Sequence, residues 1–171
     1  MDEHLILIGF MACGKSTVGR LCARALDVPL VDTDALIERR AGMTIPEIFA
    51  RQGEAAFREM EHDLALSLAR RRPSVIATGG GMATFARNVP LLRGAGRVVL
   101  IDRGFSDIWR VLSRRGGRPL AAQRSREALY ALYRARRPLY LKAAHFVVRS
   151  DGAPQDCARK VLALLPHEGE A

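Results

Sequence analysis

The 171-residue chain carries 27 basic and 18 acidic side chains, a formal charge of +9, with 49% hydrophobic and 6% aromatic residues. That length suits one domain with a substantial core, the ordinary composition excludes a fibrous or disordered chain, and no apolar run approaches a transmembrane span. Cys13, Cys22 and Cys157, odd in number and irregularly spaced, argue against a disulfide framework or a zinc site.

The acidic start Met1-Asp2-Glu3-His4 leads straight into a strand-like run, which predicts no signal peptide and a cytoplasmic, reduced protein. Lysine occurs only at 15, 142 and 160, so the positive charge is almost entirely arginine. Three readings fit that excess: nucleic-acid binding, a preferred surface cation, or arginine forks for small polyanions. Aromatics are too sparse, and too little interleaved with the basic residues, to favour stacking on single strands.

The first element is a strand over Leu5–Gly9, and a helix over 15–26 follows it. Between them Gly9-Phe-Met-Ala-Cys-Gly14-Lys15-Ser16 fits the phosphate-loop pattern without a gap. The chemistry asks for these residue types. Gly9 and Gly14 let the backbone approach a phosphate closely, and successive N–H groups with the helix N-terminus point at it. Lys15 suits the β- and γ-phosphates, and the Ser16 hydroxyl suits Mg²⁺. Nucleotide triphosphate binding follows, but not what the nucleotide reacts with. No Asn-Lys-x-Asp segment for guanine recognition is present, and the chain is short for a motor ATPase, so a kinase of small molecules or nucleoside phosphates remains.

A second strand over Pro29–Val31 runs into Val31-Asp32-Thr33-Asp34. On an extended segment the two carboxylates point the same way, one toward a magnesium shell and one toward an acceptor hydroxyl; alternatively, one of them caps the helix starting at Ala35. Helices over 34–41 and 44–71 follow, more than one crossover needs, with Thr44 and Glu47 set for a capping box and Pro46 in the first turn. Within the second helix Glu54 and Glu61 share a face with Arg58, either as a surface ion-pair ladder or as part of a site. The third strand, Val75–Thr78, ends in Gly79-Gly80-Gly81, where close backbone approach to a ligand or a loose turn would account for three glycines. A helix over 84–93, a strand over Arg97–Ile101 and a helix over 105–115 come next. The Gly- and Arg-rich break at 114–126 has the composition of a lid. A helix over 125–141, a strand over His145–Val148 and a helix over 154–165 complete the alternation. Short apolar strands alternating with helices predict a doubly wound α/β domain with a parallel sheet.

The phosphate loop, Asp32-Thr33-Asp34, Gly53-Glu54…Phe57-Arg58…Glu61, the glycine triplet, Arg118-Pro119-Leu120 and Arg136-Arg137-Pro138-Leu139-Tyr140, in that order, resemble the shikimate kinase family over residues 5–150. The resemblance implies a P-loop, nucleoside-monophosphate-kinase-type fold with sheet order 2-3-1-4-5. It also implies one kinase domain, with a substrate-binding insertion at 33–62 and a lid at 112–126. The implied reaction takes ATP, with Mg²⁺, and shikimate to ADP and shikimate 3-phosphate, with no nucleic-acid or membrane partner and a monomeric enzyme. By the same resemblance Asp34 takes the acceptor hydroxyl, Arg58 and Arg136 clamp the shikimate carboxylate, and Gly79, Gly80 and Gly81 contact the acceptor through backbone. Glu61 orients Arg58, Asp32 reaches Mg²⁺ beside Ser16, and the lid Arg118 closes on the phosphates with Lys15. The nucleotide is held by Gly9, Ala12, Cys13, Gly14, Lys15, Ser16 and Thr17, with Arg110 and Pro154 on either side of adenine. Ala12 and Cys13 depart from the small residues usual in the family. Ala12 is expected to need a negative φ, and Cys13 to be a small spacer or, beside amide dipoles, a reactive thiol.

Overall fold

β1 (His4–Ile8) is buried along its whole length, as a continuous apolar run between two helical layers should be. The computed structural model describes residues 3–114 and 125–166. Around β1 lie β2 (Leu30–Asp32), β3 (Val75–Ala77), β4 (Gly96–Asp102) and β5 (Phe146–Arg149), all parallel, in the order β2-β3-β1-β4-β5. That is the order the resemblance implied. Burial follows position in the sheet: β3 is fully enclosed and β4 nearly so, whereas the edge strands β2 and β5 are largely half-buried or exposed.

The helices are α1 (Lys15–Ala25), α2 (Thr33–Ala41), α3 (Ile45–Leu68), α4 (Val89–Ala95), α5 (Phe105–Arg114), α6 (Arg126–Ala143) and α7 (Pro154–Leu162). α1 packs against α7 and β3, while α3 and α6 pack against a 3-10 turn at Met82–Thr84. The core joins Leu5, Ile6, Leu7 and Ile8 to Val18, Ile37, Leu64, Ile76, Leu100, Leu129 and Val161.

Local chemistry sets the boundaries. The Thr44–Glu47 capping box forms in both directions: the Glu47 amide donates to Thr44 Oγ1 at 3.4 Å and the Thr44 amide to Glu47 Oε2 at 2.8 Å. α3 is broken at Gly53, whose φ of 83° and ψ of 171° lie outside the helical region. The helix expected at 84–93 is instead the 3-10 turn followed by α4. Asn88 accounts for the break: its Nδ2 donates to the Met82 carbonyl at 3.0 Å, its Oδ1 pairs with His62 Nδ1 at 2.8 Å, and Pro90 lies in the first turn that follows. α6 continues through Pro138 to Ala143. Most of the expected lid, residues 115–124 with Arg118, lies outside the described residues.

Candidate active site

The carboxyl ends of β1, β2, β3 and β4 open into one cleft of about 480 Å³, the place where open α/β sheets bind ligands. The phosphate loop forms its floor. Gly9 has φ +142°, and a Cβ there would stand 2.7 Å from the Ile101 carbonyl oxygen and 3.0 Å from Cys13 Sγ, so no other residue fits this turn. Gly14, at φ +109°, is the N-cap of α1. Ala12, Gly14, Lys15, Ser16 and Thr17 line the cleft. Ala12 has φ +57°, which corrects the expectation of a negative value: the loop holds this residue left-handed although it has a Cβ.

Lys15 is buried, and its ammonium donates to the carbonyls of Gly9 at 2.8 Å and Phe10 at 2.9 Å, with Cys13 Sγ at 3.7 Å. Cys13 is fully enclosed beneath the loop. A thiol packed there fills the space beside Gly9, which supports the spacer reading.

Asp32 and Asp34 divide the work differently from the expected pair on an extended segment. Asp32 is the N-cap of α2: one carboxylate oxygen accepts from the Ala35 amide at 3.3 Å, and the other accepts from Ser16 Oγ at 2.9 Å. Asp34 lies in the first turn of the helix rather than on the strand, and lines the cleft. Its carboxylate abuts Gly79, where any Cβ would collide with Asp34 Oδ1. Thr33 between them is fully buried, and its hydroxyl accepts from the Gly79 amide at 2.7 Å, tying the first glycine to the start of α2.

Downstream of the break at Gly53, α3 turns Arg58 and Glu61 inward. Arg58 donates to Glu54 from Nε at 3.1 Å and Nη2 at 2.7 Å, and to Glu61 from Nη1 at 2.7 Å. The rings of Phe57 and Phe85 lie 5.3 and 4.8 Å from the guanidinium. A Cβ at Gly81 would collide with Arg58 Nη1, so the last glycine of the triplet makes room for the arginine. Glu61 is 1% exposed. Burial pushes its carboxyl above the ordinary range; hydrogen bonding and charge from Arg58 oppose this, Asp34 adds to it and Arg136 also opposes it. Gly79 lies between two of these carboxylates, since a Cβ there would collide with Asp34 Oδ1 and stand 3.3 Å from Glu61 Oε1. Arg136 donates to the Gly80 carbonyl at 3.4 Å, and the Tyr140 hydroxyl donates to the same oxygen.

At the other end of the cleft lie Val111, Ser150, Gly152 and Pro154. Arg110 instead faces outward, 2.8 Å from Asp107, and Val111 is the residue of α5 that lines the cleft. Among the described residues no cluster of three or more carboxylate, histidine or cysteine side chains could cage a metal. The neighbouring Ser16 hydroxyl and Asp32 carboxylate suit Mg²⁺, a hard cation that keeps several waters and takes few protein oxygens.

A family model described as shikimate kinase matches residues 11–166. The chain belongs to the shikimate kinase family. It is 40% identical to the shikimate kinase of Limosilactobacillus fermentum over 164 residues, covering 95% of each chain. It is 43% identical to that of Burkholderia pseudomallei over 152 residues, covering 87% of this chain and 83% of the other. The structure superposes on shikimate kinase from Acinetobacter baumannii in complex with shikimate with a TM-score of 0.88. The two are 37% identical, with 96% of this chain and 93% of that one covered. Membership of the shikimate kinase family accounts for the pairing of a phosphate loop with an acceptor pocket. Sequence reasoning passed over Thr33, Phe85, Tyr140 and Arg103. Thr33 and Tyr140 stand inside motifs already singled out, so their position could have flagged them; Phe85 and Arg103 carry no local signal.

Proposed function

We propose that this chain transfers the γ-phosphoryl group of ATP to the 3-hydroxyl of shikimate, giving ADP and shikimate 3-phosphate. The observation that carries the reading is the meeting of Asp34, Arg58 and the glycine triplet at the mouth of the phosphate cleft. A carboxylate for a hydroxyl and a guanidinium for a carboxylate there suit a hydroxylated carboxylic acid. The shikimate bound in the Acinetobacter baumannii enzyme is such a molecule.

Phosphoryl transfer depends on positioning and charge neutralisation rather than covalent catalysis. The loop amides and the Lys15 ammonium hold the β- and γ-phosphates, with Lys15 exchanging loop carbonyls for phosphate oxygens. Arg58 and Arg136 hold the acceptor's carboxylate. Glu61 keeps Arg58 in place from beneath, while Glu54, 62% exposed, is the partner that yields. Asp34 accepts the hydrogen bond of the 3-hydroxyl and points that oxygen at the γ-phosphorus. Ser16 and Asp32 hold Mg²⁺, which when bound offsets the phosphate charge. Arg118, outside the described residues, matches the family's lid arginine and adds its charge to that of Lys15 against the phosphates. Pro154 lines the base end, and Arg110 covers adenine only if it leaves Asp107. The enzyme works as a cytoplasmic monomer with no nucleic-acid partner; among the described residues no helix is long and apolar enough to cross a membrane.

Asp34→Asn tests the assignment. Losing the carboxylate should lower kcat by about 100-fold or more and leave ATP binding unchanged. Near-normal turnover would remove Asp34 from the reaction.

A further inference from the structure

β4 ends at Asp102, and the next residue, Arg103, lines the cleft. Its place along the sheet edge is fixed from both sides. Toward β1, the Ile101 carbonyl abuts Gly9 of the phosphate loop. Toward β5, Asp102 pairs with Arg149, and its carbonyl accepts from the Ser150 amide at 2.9 Å. Arg103 therefore stands between the phosphate loop and the Ser150–Pro154 end of the cleft. Its backbone is anchored as well, since the Arg103 carbonyl accepts from the Tyr133 hydroxyl at 3.2 Å.

The side chain is not satisfied. Arg103 Nε is buried without a hydrogen-bond partner, the only buried side-chain nitrogen or oxygen among the described residues in that condition. A native fold pairs its buried donors, and one left over at the wall of a binding cleft points to a ligand that completes it. The chemistry of that ligand follows from the donor. Nε and its neighbouring Nη form a planar two-pronged edge that matches two oxygens of one phosphate, and the group is always charged.

We propose that Arg103 is a nucleotide-binding residue of this chain, its guanidinium rotating into the cleft so that the Nε edge, buried and unpartnered without nucleotide, donates to the phosphate nearest the ribose. The proposal rests on the nucleotide reading above. With the β- and γ-phosphates in the loop around Lys15 and the base toward Val111 and Pro154, Arg103 stands between the two on the sheet edge.

The test uses the full chain with Arg103→Gln, which keeps a polar side chain but removes charge and fork, and Arg103→Lys, which keeps only the charge. ADP affinity is measured by calorimetry without shikimate, KM for ATP and for shikimate by turnover, and kcat/KM for ATP and GTP are compared. Arg103→Gln should weaken ADP binding and raise KM for ATP by about tenfold or more. Arg103→Lys should recover part of the loss, with KM for shikimate and the melting temperature unchanged. Because a phosphate contact ignores the base, the ATP-to-GTP ratio of kcat/KM should stay as in the wild type. Unaltered ADP affinity in Arg103→Gln would overturn the proposal, and so would a changed ATP-to-GTP ratio, which would place the contact on the base. ADP binding does not need the acceptor, so a wild type that binds ADP but leaves shikimate untouched would fail the functional reading and still decide the role of Arg103.

Discussion

Ala12 occupies the phosphate loop at φ +57°, a conformation that costs an L-residue about 1 kcal/mol relative to glycine. The neighbours explain why it is held there: Gly9 and Gly14 also have positive φ, so the turn reverses the chain over a few residues and the backbone has no alternative at Ala12. Ala12→Gly should therefore stabilise the fold, by less than about 1 kcal/mol once the freer unfolded chain is counted. A urea unfolding midpoint that falls on substitution would contradict the strain assigned to Ala12. The sequence shows the methyl group but not the dihedral, because the pattern fixes only the glycines. The same limit applies at Asp32 and Asp34. Both carboxylates are legible as site residues, but which one caps depends on where α2 begins. The helix starts at Thr33, so Asp32 caps it and also takes the Ser16 hydroxyl, while Asp34 is carried onto the first turn.

At the scale of elements, α3 does the most to build the acceptor side. Its N-terminus is secured by the Thr44–Glu47 box, which two short-range side chains announce in the sequence. The break at Gly53 is not announced, since glycine within a helical pattern reads as a tolerated residue. Yet Gly53 at φ 83°, ψ 171° lies in a region essentially reserved for glycine, and it redirects the segment that presents Glu54, Arg58 and Glu61. Gly53→Ala should destabilise the protein by about 1–3 kcal/mol and raise KM for shikimate more than KM for ATP. Equal effects on the two KM values would mean that the kink has no particular hold on Arg58. The 84–93 region shows the converse. A helical pattern there is interrupted because Asn88 spends its side chain on Met82 and His62, the latter 26 residues away in sequence. Such long-range pairings leave no periodic trace.

The whole molecule brings both halves of a two-substrate site to one edge of the sheet. β1 and β4 carry the phosphate side, β2 and β3 the acceptor carboxylate and glycines, and α3 and α6 supply the two arginines. That architecture was legible early because the fold depends on apolar periodicity and on motif order, both properties of the chain itself. The arginine excess was not, since charge alone does not say which guanidinium meets what. In the structure Arg87, Arg97, Arg110, Arg137 and Arg159 pair with carboxylates; Arg58 does so too, with Glu54 and Glu61, but gathers with Arg136 at the glycine triplet, and Arg103 lines the cleft. The most direct test of the account is product analysis with ATP, Mg²⁺ and shikimate, set beside nucleoside monophosphates and gluconate as acceptors. Shikimate should give one ADP per phosphate gained, with that phosphate on the 3-oxygen and little turnover of the other acceptors. A preference for a nucleotide or gluconate, or ADP release that does not depend on shikimate, would contradict it.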